Sequence, residues 1–488
     1  MKAIELKNVT FCYEGYEAKI LSDACFSIEY GEVALLSGFS GEGKSTVLSL
    51  ISGIIPNVMP GEITGEILIN GENIAGQKMR EICRKTGVVL QNAEAQIIQQ
   101  IVEDEIAFGC ENFAFSCDKI KACIERACRQ MNLDPKWKTR TLSGGQKQRL
   151  MTAATLATEQ KILILDEPLA NLDKCGAELL MNTLRTLAKS GYAVLVVEHR
   201  LDMVLPFVDT VWKICKGKIN KIENKHKYLT EQAEYIQDNC HPLKSNDVIL
   251  SLNHIGFSVK GREILSDINF EIKRGERVLL LGENGCGKTT LLRLIARLYK
   301  PTSGNIMQNI DARLGQKPKG TNEWFKKVGI VYQNPNYQLF MPTVRQEIAF
   351  GADSNEYAHE IMQMFGIEHL SEHHPHSLSE GQKRRVSIAA VVASKPSVLL
   401  LDEPTVGQDY AGLKEMVHLL NKLHEQSEST MITITHDMRC AEALCDHAVF
   451  VDNGMIEREG GKELVHNYFY GTDTTNIKSA EGTVSFGL

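Results

Sequence analysis

The chain states one set of motifs twice, in the same order. Gly38-Phe-Ser-Gly-Glu-Gly-Lys44-Ser45 returns as Gly282-Glu-Asn-Gly-Cys-Gly-Lys288-Thr289, and Leu142-Ser-Gly-Gly-Gln146 returns as Leu378-Ser-Glu-Gly-Gln382. Ile162-Leu-Ile-Leu-Asp166-Glu167 recurs as Val398-Leu-Leu-Leu-Asp402-Glu403, and Val197-Glu-His199 as Ile434-Thr-His436. The offset is 244 residues at the first pair and 236 or 237 at the others. Solenoid repeats recur every ~20–50 residues, so a near-constant offset of this size means a duplicated domain. The drop in offset says that the second copy has lost loop residues between its first two motifs. The reading is a first domain over 1–224, a polar linker with one short helix over 225–246, a second domain over 247–470 and a Thr-, Gly- and Ser-rich tail over 471–488.

Each motif carries a piece of phosphate chemistry. In a Gly-x-x-x-x-Gly-Lys-Ser/Thr loop the glycines let successive backbone N–H groups point into one concavity, and the next helix aims its N-terminus at the same anion. The context fits twice, because strand-like runs precede Gly38 and Gly282 and helix-like runs begin at Thr46 and Thr290, which join the candidate nucleotide-binding residues. The loop glycines are Gly38, Gly41 and Gly43 in one copy and Gly282, Gly285 and Gly287 in the other. Lys44 and Lys288 would reach the β- and γ-phosphates of ATP, and the Ser45 and Thr289 hydroxyls would sit on Mg²⁺. Four apolar residues followed by Asp-Glu read as a buried strand whose end presents Asp166 or Asp402 to Mg²⁺ through water. The next residue, Glu167 or Glu403, can orient and deprotonate the attacking water. An exposed acidic strand end would not explain why Pro168 and Pro404 follow at the same spacing.

Composition bounds the setting. The net charge of −7 gives no support to bulk nucleic-acid binding, and no apolar run approaches the roughly 18–20 residues that span a bilayer. The N-terminus lacks the apolar stretch of a signal peptide. The 13 cysteines are odd in number and contain no Cys-x-x-Cys pair, which reads as free thiols in a reducing compartment. His373, His374 and His376 lie close together without a Cys or carboxylate at ligand spacing, and read as a solvated loop before a helix.

Leu-Ser-Gly-Gly-Gln-Lys-Gln-Arg, standing between the phosphate loop and the Asp-Glu strand, resembles the signature of ABC ATPases, and the resemblance covers nearly the whole chain. It implies an α/β fold of two tandem ABC-type P-loop ATPase domains. Each would have a RecA-like, mostly parallel sheet core, an antiparallel β subdomain and a helical signature subdomain. It further implies that Gln91 and Gln333 are Q-loop residues sensing Mg²⁺ and the membrane partner. By the same resemblance Asp173 and Asp409 belong to the D-loops, His199 and His436 contact the γ-phosphate, and Tyr13 stacks on adenine. ABC domains work as intramolecular head-to-tail pairs when fused. Ser143 and Gly145, or Ser379 and Gly381, would then bind the γ-phosphate held by the other copy's loop.

The Q-loop neighbourhoods narrow the resemblance. Gln91-Asn-Ala-Glu-Ala-Gln96-Ile and Gln333-Asn-Pro-Asn-Tyr-Gln338-Leu-Phe are similar to the pattern of energy-coupling-factor and cobalt-type importer ATPases, although Ala93 and Ile98 depart from it in the first copy. That family implies a transmembrane coupling subunit and a substrate-binding membrane subunit on other chains, no nucleic-acid partner, and a place on the cytoplasmic face of the membrane. The alternatives are a fused sugar-importer ATPase and a soluble ribosome-bound tandem ATPase. Three finer expectations follow. The sites should be unequal, because Glu380 replaces a signature glycine and Val259 stands where Tyr13 stands, unless Phe257 or a neighbour substitutes. Glu103, Asp104 and Glu105 either help receive a basic coupling helix or form a solvated helix face. Cys286, whose counterpart is Glu42, sits beside Lys288 and a helix start; it is either a reactive thiolate or a small side chain turned inward.

Overall fold

In the computed structural model the described residues are 1–15, 18–39, 41–170, 172–225, 227–228, 236, 245–309, 324–325 and 327–470. The expected linker helix falls largely outside them, and the tail falls outside them entirely. The chain divides into two compact units. The first holds 1–236 together with 373–386 and 405–418, and the second holds 237–372, 387–404 and 419–488.

Two sheets build the first unit. Strands β1 (Lys2–Tyr13), β2 (Leu21–Glu29), β4 (Gly61–Ile69) and β5 (Glu72–Asn73) form an antiparallel sheet in the order β2-β1-β4-β5. Strands β3 (Val33–Ser37), β6 (Thr86–Val89), β7 (Ile162–Asp166), β8 (Ala193–Val197), β9 (Thr210–Cys215) and β10 (Lys218–Ile222) form the other, in the order β10-β9-β3-β8-β7-β6. All of its pairings are parallel except β9 with β10. Helices cover both faces of a parallel sheet, so its central strands lose all contact with water. Every residue of β3, β7 and β8 is buried, which is why these strands read as unbroken apolar runs rather than alternating ones. Helices Val102–Asn112, Cys117–Gln130 and Gly144–Ala157 contribute to one core cluster of this unit.

The second unit repeats the plan. Strands β11 (Val248–Val259), β12 (Arg262–Lys273) and β14 (Ser303–Gln308) make an antiparallel sheet. Strands β13 (Arg277–Leu281), β15 (Val328–Val331), β16 (Val398–Asp402), β17 (Thr430–Ile434), β18 (His447–Asp452) and β19 (Met455–Gly460) pair in the order β15-β16-β17-β13-β18-β19. The expected α/β architecture of two tandem domains, with parallel cores and antiparallel additions, is present.

The copies solve one electrostatic problem in two ways. Asp209 and Asp446 stand at matching places, and each accepts the backbone N–H of a sheet residue, Val33 or Arg277. In the first copy Arg185, on helix Lys174–Lys189, neutralises Asp209. In the second copy the matching helix position is Asn421, and the arginine has moved to the strand. Arg277, fully buried, grips Asp446 with Nε at 3.0 Å and Nη2 at 2.6 Å, and Asn421 Oδ1 accepts from its Nη1 at 3.1 Å. A buried guanidinium survives only when paired and hydrogen-bonded in this way.

Candidate nucleotide sites

Each phosphate loop runs from the end of a buried strand into a helix. Gly43, with φ 100°, caps Lys44–Ile51, and Gly287, with φ 110°, caps Lys288–Ile295. Both lie in the left-handed region, where a side chain is strained. A Cβ on Gly38 would meet Ile214 at 2.5 Å, and one on Gly282 would strike the carbonyl of Val451, so those positions also demand glycine. The lysines fold back over their own loops. Lys44 Nζ donates to the carbonyls of Gly38 (2.9 Å) and Phe39 (2.8 Å), and Lys288 Nζ to those of Gly282 (2.6 Å) and Glu283 (2.8 Å). Burial pulls the Lys44 ammonium down, against opposing pulls from Glu167, Asp409, Asp166 and Glu42.

The acidic strand ends lie beside these loops. Burial, with help from neighbouring Glu167, pushes Asp166 up to about 7, while Lys44 and His199 oppose the rise. Glu167 and Glu403 both take left-handed backbone, φ 47° and 53°. This conformation is uncommon for a residue with a Cβ and is held only where the surroundings over-determine it. Here Glu167 N donates to Val197 O, and Glu403 N to Ile434 O. Burial raises the Glu167 carboxyl, but His199, Lys44 and Gln91 together leave it below the ordinary range. Gln91 Nε2 donates to Glu167 Oε2 at 2.8 Å, and His199 Nε2 lies 3.4 Å from Glu167 Oε1. In the second copy His436 Nε2 lies 3.5 Å from Glu403 Oε1. Thr289 Oγ1 and Asp402 Oδ1 are 3.3 Å apart. A hydroxyl and a carboxylate converging in this way fit a hard divalent cation such as Mg²⁺, which takes oxygen ligands and usually keeps several waters.

The Ser and Gln of each signature make a reciprocal helix cap. Gln146 N donates to Ser143 Oγ (3.3 Å) while Ser143 N donates to Gln146 Oε1 (2.9 Å), and Ser379 with Gln382 repeats the arrangement. The first unit also contains Ser379, Gly381 and Asp409 from the second copy. Within it, a Cβ on Gly407 would stand 3.7 Å from Gln91 Nε2.

A profile described as "ABC transporter" matches residues 21–170 and 265–406, more than half of the chain. The chain belongs to the ABC transporter ATP-binding family. It is 32% identical to YkoD of Bacillus subtilis (strain 168), named for HMP/thiamine import, over 93% of this chain and 90% of that protein. It is 29% identical to an ABC transporter ATP-binding protein of Methanosarcina mazei, over 98% of this chain and 99% of that one. The archaeal ribosome recycling factor aABCE1, solved with a ribosomal stalk protein, superposes with a TM-score of 0.64 at 20% identity, covering 95% of this chain and 92% of that chain, a likeness of fold alone. ABC ATP-binding proteins are ATPases, so this chain hydrolyses ATP.

Several finer expectations for this ABC protein change. Of its two readings, Cys286 takes the small side chain turned inward. It is buried, and burial raises its thiol above the ordinary value, outweighing Lys288, whose Nζ lies 3.7 Å from Sγ. Glu105 does not share in an acidic docking face. Its buried carboxylate accepts the N–H groups of Ile98 (2.8 Å) and Gln99 (2.6 Å), as Glu347 accepts those of Phe340 and Met341. Asp104 remains exposed, and Glu103 is half-buried. Phe257 is buried and stacked on Tyr299, with centroids 5.3 Å apart and planes 3° apart, so it does not stand in for Tyr13. The Tyr13 hydroxyl lies 3.0 Å from Thr46 Oγ1. The Glu380 carboxylate is paired with Lys383 at 3.0 Å, which offsets its charge near a phosphate.

Sequence reasoning missed Glu198. It is buried beside His199, and its carboxylate accepts the N–H groups of Leu169, His199 and Arg200. Arg200 in turn donates to the carbonyls of Leu169 and Leu172, tying the residues around His199 to the segment before Asp173. A charged residue closing a wholly apolar strand was the available signal.

Proposed function

We propose that this ABC ATPase energises an importer of the energy-coupling-factor type and works on the cytoplasmic face of the membrane. The observation that carries this reading is an exposed aromatic face following Gln333. Tyr337, Phe340 and Phe350 are 68%, 65% and 70% exposed, and Phe340 and Phe350 meet edge to face with centroids 5.5 Å apart. Large apolar side chains gathered on a water-facing surface mark an interaction site. Ile98, 65% exposed, follows the first Q-loop at the corresponding place. A helix of a transmembrane coupling subunit is the partner that this surface suits. The chain's net charge of −7 makes ribosomal RNA a poorer one. The name of the Bacillus relative supports a vitamin or vitamin precursor as cargo.

In this reading Glu167 and Glu403 align and deprotonate the attacking water, while Gln91, His199 and His436 hold those carboxylates in place. Asp166, Asp402, Ser45 and Thr289 would hold Mg²⁺, which supplies positive charge to the triphosphate. Lys44, Lys288 and the loop N–H groups bind the phosphate oxygens. The electrostatic reach of Asp409 to Lys44 supports pairing of the first phosphate loop with the second copy's signature. The test is co-sedimentation with membranes bearing the coupling subunit, against co-sedimentation with ribosomes. Phe340→Asp and Phe350→Asp should lose membrane binding and transport while keeping basal ATPase activity. Retention on ribosomes but not on membranes would favour the soluble alternative.

A further inference from the structure

The first phosphate loop is braced from behind by a residue outside every motif. Tyr228 is 5% exposed, and its hydroxyl lies 2.8 Å from Ser37 Oγ, at the end of β3 directly before Gly38. Lys213, on β9, holds Nζ 5.5 Å from the Tyr228 ring centre and 5.8 Å from that of Phe39. One ammonium therefore bridges an aromatic ring of the phosphate loop and one from the segment leaving the domain. That segment is itself anchored. Lys225 Nζ donates to Val208 O at 2.7 Å, and Lys227 N to Asn224 Oδ1 at 2.9 Å.

The second copy lacks this device. At the constant offsets, Leu281 stands for Ser37 and Val465 for Tyr228, and both belong to one apolar cluster. One copy thus carries a polar pair where the other carries an apolar pair. Changing only one member would bury a hydroxyl without its partner, so the two residues act as a unit. Burial raises the Tyr228 phenol, which keeps it protonated and able to share a hydrogen with Ser37.

We propose that Tyr228 is a positioning residue of the first ATP site. Its bond to Ser37 fixes the strand end from which Gly38 turns, and so fixes the Gly38 carbonyl that receives Lys44. Through it, the start of the connection between the two domains sets how tightly the first loop holds ATP. The proposal rests on the reading that residues 38–45 hold a triphosphate.

The test measures binding of a fluorescent ATP analogue with Mg²⁺ to the full chain. In a Lys288→Ala background, which leaves the first site as the binder, Tyr228→Phe keeps the ring and removes the hydroxyl. Affinity should fall about fivefold, the effect of one net hydrogen bond. Ser37→Ala should do the same from the other side, and the double variant should lose no more than either single one. In a Lys44→Ala background Tyr228→Phe should leave affinity unchanged. A purely structural role would lower the melting temperature and leave the affinity of the folded protein alone. Unchanged affinity in the Lys288→Ala background, or equal loss in both backgrounds, overturns the proposal. Separately, if Lys44→Ala leaves binding intact in the Lys288→Ala background, the phosphate-loop reading itself fails.

Discussion

At the residue scale, Glu167 and Glu403 hold a backbone conformation that side chains avoid, each with a histidine within 3.5 Å of its carboxylate. Replacing either by Gln keeps shape and removes the carboxylate proposed as the base. ATP should stay bound, and single-turnover hydrolysis at that site should slow by about 10²–10⁴-fold. Unchanged turnover in either variant would mark that site as non-catalytic. Arg277 offers a stability test of the same sharpness. Arg277→Val leaves Asp446, whose side chain is 10% exposed, without its guanidinium, a loss of up to about 3–5 kcal/mol. Adding Asn421→Arg rebuilds the first copy's arrangement, in which Val33 sits on the strand and Arg185 reaches from the helix. Urea unfolding should show most of the loss recovered in the double variant, and no recovery would mean that the two copies are not interchangeable there.

At the element scale, the two domains differ in how β18 and β9 join their sheets. His447, at the start of β18, donates from Nδ1 to Glu276 Oε1 at 3.1 Å, and its Nε2 lies 3.2 Å from Glu459. The Glu276 bond raises the His447 pKa above the ordinary 6.5, against burial, which lowers it. A raised folded-state pKa contributes stability that is full below 6.5 and is lost as pH rises through the folded value. The melting midpoint of the second domain should therefore fall as pH climbs above 6.5. His447→Thr, the residue of the first copy at Thr210, should flatten that step. A midpoint that rises with pH over this range would contradict the pairing.

At the scale of the whole molecule, the duplication has not kept the two sites alike. Tyr13 lies in the first copy and exposed Val259 in the second, where Phe257 is already committed to Tyr299. Ser37 and Tyr228 brace only the first loop. Both differences favour tighter ATP binding at the first loop. Lys288→Ala should accordingly leave a higher ATP affinity than Lys44→Ala, read by equilibrium titration, and equal affinities would remove the asymmetry. Sequence by itself determined the duplication, the α/β plan and the candidate groups at both sites, because spacing along the chain dictates strand–loop–helix geometry locally. Reciprocal capping of Ser143 by Gln146 and the hold of Gln96 on Leu90 are equally local, and explain why those residues recur. Only the tertiary structure decided what burial does. It decided between the two readings of Cys286 in favour of a buried thiol, and made Glu105 a loop anchor rather than a docking charge. It also brought Tyr228 to Ser37 across 191 residues. Desolvation and long-range hydrogen bonds depend on which distant segments pack together, and no local pattern records that.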